Sequence, residues 1–345
     1  MTHILNIPLK NNSCNQFHLR VGNFITNLVG ILLLVATILL VVNPTKYIDS
    51  ILQGTNLFYS SVMPSLLPFF FISKIIFSLG FFDKIINLLQ KPICKIFRVP
   101  PVTSYVLLMS ILCGYPVGAK IIGELKTSNI ITDAEAKKMI ILATTSGPIF
   151  VIGSVGGALF KSAKLGTIIF ASHIIGALLA GFIFSRRFDK IDISTTNTYK
   201  TIPSKNILSQ SINSTIFSIL TVAIYVSIFY MFIDMAFDLN ILKFVAFPLE
   251  NLFSTLNIDP AYARGISSGI IEMTRGIAEI SSLPNLRLQL VIATCLISFG
   301  GLSIFIQTLT FLNETTIKAP YLLKIKCLQT LTGGLVAFIA SIVFF

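Results

Sequence analysis

The sequence predicts an all-α polytopic membrane protein built from two inverted repeats, with one extra helix at the N-terminal end. Three observations predict this class. Apolar residues make up 54% of the 345 residues and charged residues only 12%, whereas soluble domains carry about 25% charged residues. Several windows hold more than about 18 mostly apolar residues, enough to cross a bilayer. The two halves of the chain also repeat one order of interrupted apolar segments.

The repeats share their elements in order. Each has an apolar helix, an amphipathic segment that follows Phe-Asp and contains a proline, an interrupted apolar stretch, a broken helix and a final helix. We expect the amphipathic segments, 83–100 and 237–256, to lie at the membrane surface. Each contains one proline, Pro92 or Pro248, and ends before another, Pro100 or Pro260, which breaks the helix and turns the chain into the hairpin. The predicted full spans are 23–43, 64–82, 139–160, 165–185, 207–233, 288–312 and 322–344. The predicted divisions are an N-terminal segment with the first span (1–45), repeat one (46–185), a polar cytoplasmic linker (186–206) and repeat two (207–345).

Two further apolar stretches, 102–125 and 261–283, are interrupted by Gly114-Tyr115-Pro116 and by Glu272-Met273-Thr274-Arg275-Gly276. We interpret them as re-entrant helical hairpins, which return to the side of the membrane from which they enter. Non-helical backbone at membrane depth is tolerated only where it is buried in protein or lines a cavity. The interruptions therefore predict a central cavity between the repeats.

The basic residues predict the orientation. With the N-terminus in the cytoplasm, 17 of the 26 Lys and Arg residues fall in the segments on the inner side and six in those on the outer side. This bias follows the positive-inside rule. The net charge of +12 is then explained by short loops that face anionic lipid. No basic stretch is interleaved with aromatic residues, which argues against a nucleic-acid partner.

Other classes of function have little support in the sequence. The five cysteines and three histidines are scattered, which argues against a metal site or a disulfide framework. No Ser/His/Asp set or phosphate-binding loop is present, and we predict neither an enzyme nor a cofactor. The cell membrane, with many crossings, is the predicted location, and the bilayer is one partner. A homo-oligomer is left open.

Charged residues inside apolar stretches are the first candidates for a substrate site, because burying a charge in a membrane is costly. Lys120 could contact a substrate carboxylate, or it could extend to the cytoplasmic face. Arg275 could bind a carboxylate through two hydrogen bonds, or pair with Glu272 one turn earlier. Glu272 could carry a coupling proton or sodium ion, or hold the two basic residues in place.

Uncharged candidates lie at the same interruptions. Helix ends at mid-membrane leave free N–H groups suited to an anion, and glycines let the backbone approach a ligand closely. Each candidate has a structural alternative, namely tight helix packing for the glycines, hydrogen bonding between helices for the polar side chains, and a packing plug for the tyrosine. We expect His173 to be a core residue with its hydrogen bonds satisfied. The uncharged candidates are Gly114, Tyr115, Gly118, Thr145, Ser146, Thr274, Ser298, Ser303 and Gln307.

Four segments resemble one protein family. They are Cys-Gly-Tyr-Pro-Val-Gly-Ala-Lys (113–120), Thr-Ser-Gly-Pro-Ile-Phe-Val-Ile-Gly (145–153), Gly-Ile-Ile-Glu-Met-Thr-Arg-Gly-Ile (269–277) and Gly-Gly-Leu-Ser-Ile-Phe-Ile-Gln (300–307). In this order they resemble the sporulation integral membrane protein family YlbJ/SpoVV, which carries the nucleoside recognition or Gate domain. The resemblance covers roughly residues 50–345. The domain is in turn similar to concentrative nucleoside transporters, which have inverted repeats with two hairpins.

The resemblance implies a protein that moves dipicolinate, a small dicarboxylate, during spore formation. We therefore expect a transporter of a small organic anion, with dipicolinate export as the first hypothesis and alternating access between the repeats as its mechanism. A nucleoside or nucleobase permease is the second hypothesis, although a neutral substrate would need fewer buried cations. A membrane scaffold that transports nothing and recruits partners in spore formation is the third.

Overall fold

The computed structural model describes residues 27, 29–188 and 206–345. Regular structure within these ranges is entirely helical, without a strand. The chain divides into two compact units, Met1–Asp49 and Ser50–Phe345. The described part of the first unit holds the apolar helix α1, Val29–Val42, inside the predicted span 23–43. The predicted cytoplasmic N-terminal segment and most of the predicted linker 186–206 lie outside the described residues.

In the first half of the chain, some helices are longer and others are shorter than the sequence predicts. Helix α2 leads through one π-helical turn, Phe58–Val62, directly into α3, so the predicted span 64–82 is the end of a longer helical stretch. One further apolar segment precedes α8, and its residues Ile149–Leu159 form a π-helix. The bounds are α2 Pro44–Leu57, α3 Met63–Ser78, α4 Asp83–Phe97, α5 Thr103–Cys113, α6 Val117–Thr127, α7 Asp133–Met139 and α8 Ala163–Ser185.

The second half contains seven helices among the described residues. Helix α9 is the longest, with 32 residues, and reaches to the start of the predicted surface segment. The bounds are α9 Ile207–Asp238, α10 Ile241–Thr255, α11 Ala261–Ile271, α12 Met273–Ser281, α13 Leu286–Phe299, α14 Gly301–Phe311 and α15 Ala319–Phe344.

Five helical stretches of the described chain are long and apolar enough to cross a membrane. Their lipid-facing character is visible in α15, where Leu331, Leu335 and Ile342 are each more than half exposed. The chain is therefore an integral membrane protein with several crossings. The five stretches are Pro44–Ile76, Ala163–Ser185, Ile207–Asp238, Leu286–Phe311 and Ala319–Phe344.

One predicted span is wrong in its first half. Residues 139–160 do not form two helical halves around one short break. Helix α7 ends at Met139, and the chain is irregular over 140–147 before the π-helix begins. Pro148 contributes to this, since a proline disfavours the helical conformation of the residue before it. Apolar composition alone did not reveal that the segment is buried as irregular backbone.

The two predicted surface segments end before their second prolines, as expected, since α4 ends at Phe97 and α10 at Thr255. Pro92 lies inside α4 and Pro248 inside α10, and both helices continue past the proline. A proline removes one backbone hydrogen bond and crowds the preceding turn, and neither cost ends these helices. Each of the two predicted segments is nevertheless one helix, as expected.

Helices α8, α13 and α15 pack against one another and carry the interrupted segments. The closest approach of α8 and α15 is at Gly176 and Gly333. A Cβ atom on Gly176 would lie 2.3 Å from the Cα atom of Gly333. Thr332 on α15 also donates a hydrogen bond of 2.7 Å to the Gly176 carbonyl. The two backbones touch, which is how small residues join helices in membranes.

We expect Gly176→Ala to destabilise the protein by about 1–3 kcal/mol, because the added methyl group forces the two backbones apart. The measurement is thermal unfolding of the purified protein in detergent. Gly157→Ala is the matched control, since the nearest atom to its new Cβ would be 3.6 Å away. Equal melting temperatures for the two variants would contradict the close crossing.

Candidate binding site between the helix interruptions

Four helix interruptions lie in the unit Ser50–Phe345, two in each half of the chain. The first separates α5 from α6 at residues 114–116, and the second is the irregular segment 140–147. The third is Glu272, between α11 and α12, and the fourth is Gly300, between α13 and α14. The interruption predicted at Gly114–Pro116 is thus observed, and of the one predicted at Glu272–Gly276 only Glu272 is non-helical, because α12 begins at Met273.

The two interruptions of the first half are in backbone contact. Gly114 has φ +73°, and a Cβ atom on it would lie 2.5 Å from the Gly147 backbone nitrogen. Gly118, a predicted site residue, is packed the same way, since its Cβ would lie 2.2 Å from the Ala143 carbonyl oxygen. Glycine is required at Gly114 both by its conformation and by its neighbour.

The two interruptions of the second half meet in the same manner. Gly301 has φ +71°, and a Cβ atom on it would lie 3.0 Å from the Ile271 carbonyl oxygen and 3.1 Å from the Met273 nitrogen. Gly300 faces the first half, because its Cβ would lie 3.8 Å from the Tyr115 ring. All four interruptions are therefore close together.

A cavity lies where the interruptions meet, with a volume of about 40 Å³ for the centre of a water-sized molecule. Helices α3 and α9 close it with apolar and aromatic side chains, among them Phe70 and Tyr225. Seven of the twelve predicted site residues line it, and they come from both halves of the chain. They are Gly114, Tyr115, Ser146, Glu272, Thr274, Ser303 and Gln307.

Helix N-termini form much of the cavity wall. Thr274 lies in the first turn of α12, Ser303 in the first turn of α14, and Phe150 in the first turn of the π-helix. Gly114 and Tyr115 come just before α6. The first N–H groups of a helix have no partner within it and carry partial positive charge. The wall is thus suited to oxygen atoms of a ligand.

Gln307 marks the polar part of the cavity. Its side chain is 2% exposed, and its Oε1 atom finds no hydrogen-bond partner among the described residues. A buried polar atom without a partner is costly. A ligand that donates a hydrogen bond, or bound water, would remove that cost.

Glu272 is 2% exposed and caps α12. Its Oε2 atom accepts a hydrogen bond of 2.8 Å from the backbone N–H of Arg275. The predicted pairing with the guanidinium of Arg275 is not what holds this carboxylate. Glu272 is therefore the one acidic residue of the described cavity wall, and its side chain also caps the N-terminus of α12.

Arg275 does not line the cavity. Its guanidinium pairs with Asp234 and with Glu279, the latter at 2.9 Å, and donates to the Tyr230 carbonyl at 2.8 Å. The Asp234 carboxylate also accepts from Ser50 at 2.6 Å. These partners occupy the guanidinium nitrogens that were expected to bind a substrate carboxylate. They also join α12 to α9.

The other predicted residues lie outside the cavity wall. Lys120 has a side chain 29% exposed, near Glu124 at 4.0 Å and above the Phe217 ring. Thr145 is buried, with its hydroxyl 2.8 Å from that of Ser110. Ser298 is also buried and hydrogen-bonded to His173. Together with Gly118 and Arg275, these are the five that do not line the cavity.

His173 joins the two halves of the chain. Its Nε2 atom accepts from the Ser146 backbone N–H at 2.9 Å, and its Nδ1 atom lies 2.9 Å from the Ser298 hydroxyl. Because a backbone N–H only donates, Nε2 must be the acceptor and Nδ1 carries the proton of a neutral ring. His173 is a fully buried core residue, as expected, and it also satisfies the irregular segment 140–147.

Lys326 is the residue that the sequence analysis missed. It falls near the start of the predicted span 322–344 but was counted among the 17 basic residues of the inner side; it lies within α15 and is 2% exposed. Its ammonium group donates to the Tyr115 hydroxyl at 2.9 Å, to Gln329 at 3.0 Å and to the Thr144 carbonyl at 3.3 Å. The signal was the spacing of Lys326 and Gln329, three residues apart on one helix face.

A metal centre has no support in the described ranges, where no group of three or more His, Cys, Asp or Glu side chains could hold an ion. The fold and site together define a multi-pass membrane protein with a cavity lined by broken helices from both halves of the chain.

Comparison with known proteins identifies a distant homologue. The chain is 26% identical over 321 residues to the sporulation integral membrane protein YlbJ of Bacillus subtilis (strain 168), which covers 85% of this chain and 77% of that protein. This confirms the family resemblance of the four sequence segments. No protein-family model matches the chain. No solved structure matches it either.

We expect Arg275→Met to destabilise the protein by about 1–3 kcal/mol, because it leaves the partly buried carboxylates of Asp234 and Glu279 without their counter-charge. The double variant Arg275→Met/Asp234→Asn should recover part of this loss. Thermal unfolding in detergent measures both. A stable Arg275→Met variant would contradict a structural role and return Arg275 to the list of substrate contacts.

Proposed function

We propose that the chain is a membrane carrier for a small organic anion in spore formation, with dipicolinate export as the first candidate. The single observation that carries the proposal is the convergence of four helix interruptions from both halves on one cavity. Broken helices at a central site are typical of secondary transporters. The sporulation role is transferred from the name of the homologous Bacillus protein.

In this proposal the two halves are inverted repeats, and α5–α6 and α11–α12 are re-entrant hairpins. Alternating access arises when one half moves against the other around the cavity. Contacts across the halves then have to break and re-form, among them those of Tyr115 with Ile297 at 2.9 Å and of His173 with Ser298. The N-terminus stays in the cytoplasm, and Glu272 is the group for a coupling proton or sodium ion.

The residues of the cavity wall support this choice of substrate. Three helix N-termini in the wall, those of α6, the π-helix and α14, have no side-chain cap and favour carboxylate oxygens, and the apolar and aromatic side chains of α3 and α9 suit a flat ring. The Gln307 amide can both accept and donate a hydrogen bond. Dipicolinate has a flat pyridine ring and two carboxylates, whose oxygen atoms can accept from these N–H groups and from the Gln307 Nε2 atom.

A nucleoside or nucleobase is the second candidate, and one observation favours it. The described cavity wall contains no Lys or Arg side chain, whereas Glu272 and the unpaired Gln307 Oε1 both accept hydrogen bonds. A base with N–H groups would satisfy them. The sequence argument against a neutral substrate rested on Lys120 and Arg275, and neither lines the cavity.

We expect dipicolinate to raise the melting temperature of the purified protein in detergent, because a ligand that binds only the folded state stabilises it by about 2.7 kcal/mol at 100 times its Kd. Gln307→Leu should weaken binding about tenfold, the size of one hydrogen bond. Gln210→Leu on the exposed surface of α9 is the control. If no small molecule shifts the melting temperature, a scaffold role replaces the carrier.

Competition separates the two substrate classes. We expect labelled dipicolinate, bound to the protein in vesicles, to be displaced by unlabelled dipicolinate and not by uridine. The reason is that helix N-termini reward a carboxylate, which uridine lacks. Displacement by uridine at similar concentrations would make the protein a nucleoside carrier instead.

A further inference from the structure

The structure assigns Lys326 as the fixed positive charge that selects an anionic ligand in the cavity, acting through the Tyr115 side chain. This inference rests on the proposed function and names a residue that sequence patterns did not. It starts from the hydrogen bonds of one buried ammonium group.

The contacts of Lys326 match the charged form of its side chain. The Thr144 carbonyl and the Gln329 Oε1 atom can only accept hydrogen bonds. The Gln329 amide is oriented by its Nε2 atom, which donates to the Ile141 carbonyl at 3.2 Å. The Tyr115 hydroxyl gives its own proton to the Ile297 carbonyl, so its oxygen also accepts from Lys326. Three acceptors require three N–H donors, which only the charged ammonium form supplies.

The charge of Lys326 has no carboxylate partner. The ion pairs found in the described part of the chain join Lys120, Lys126 and Arg275 to acidic residues, and none includes Lys326. Buried charges are ordinarily paired. By contrast, Arg275 is matched by two carboxylates. Lys326 is therefore a buried cation whose hydrogen bonds are satisfied by neutral groups and whose charge is not balanced by contact.

Tyr115 connects this charge to the cavity. The Lys326 ammonium lies 4.6 Å from the centre of the Tyr115 ring, and Tyr115 is itself part of the cavity wall. A ligand against Tyr115 is thus separated from the charge by one side chain. A carboxylate there would be attracted across low-dielectric protein, and a neutral ligand of the same shape would not. Lys326 is a positioning and charge-supplying residue and does not touch the ligand.

The same contacts allow a purely structural role, since Lys326 also satisfies the irregular backbone at Thr144. The two roles differ in what they predict for matched ligands. A structural residue affects every ligand of the cavity alike, whereas a charge affects only charged ones. Pyridine-2,6-dicarboxylate and pyridine-2,6-dicarboxamide have the same ring and nearly the same outline, and differ in charge.

The test measures the affinity of both compounds for the full-length protein in detergent. We expect Lys326→Met to weaken the dicarboxylate on the order of tenfold, the size of one charge interaction through intervening protein, and to leave the diamide unchanged. Lys326→Gln removes the charge while keeping a donor amide, and should give the same selective loss if the methionine variant does not fold. Lys326→Arg should retain selectivity. Lys324→Met, exposed on the same helix, is the control and should behave as wild type.

The outcomes separate the two proposals. A selective loss of the dicarboxylate supports the role of Lys326. An equal loss of both compounds, or no loss of either, overturns it and leaves the carrier proposal in place. A wild-type protein that binds neither compound overturns the proposed function, and the inference about Lys326 fails with it.

Discussion

The need to satisfy backbone groups at the helix interruptions governs the structure of this protein. In a membrane no water reaches an exposed N–H or C=O group, so every break in a helix must find partners within the protein. The irregular segment 140–147 shows what this requires. His173 of α8 accepts from the Ser146 N–H, Ser110 of α5 accepts from the Thr145 N–H, and Lys326 and Gln329 of α15 donate to backbone carbonyls.

This constraint also brings the cavity together. Glycines at the interruptions let one backbone approach another, as Gly114 approaches Gly147 and Gly301 approaches Ile271 and Met273. Once two broken segments are in contact, their helix N-termini point into the same small volume. Tyr115 extends the arrangement across the halves, because its hydroxyl satisfies Ile297 near the end of α13. The polar cavity is thus a consequence of how the interruptions are stabilised.

Much of this could be predicted from the sequence, because apolar length, glycine and proline are local signals. The breaks at Gly114, Glu272 and Gly300 were predicted from them, as were seven of the residues in the cavity wall.

The predictions that failed needed knowledge of residues that are distant in sequence. Arg275 looked available because Asp234, 41 residues away, could not be known to pair with it. Lys326 looked like a loop residue because charge was equated with exposure. The extent of the irregular segment 140–147 depended on side chains from three other helices. The predicted domain divisions, the inverted orientation and the side of the N-terminus remain predictions.

In the proposed carrier, the electrostatics of the cavity would favour an anion by distance and not by contact. The described wall itself offers one carboxylate, Glu272, and that group already accepts from the Arg275 backbone N–H. Judged by direct contacts alone, the site would favour a neutral molecule that donates hydrogen bonds. Two longer-range sources oppose this, namely the helix N-termini in the wall and the ammonium of Lys326 behind Tyr115. In a low-dielectric interior such sources act over several ångströms. A protein can in this way attract an anion and still release it, because no side chain forms a salt bridge with the ligand that would have to be broken.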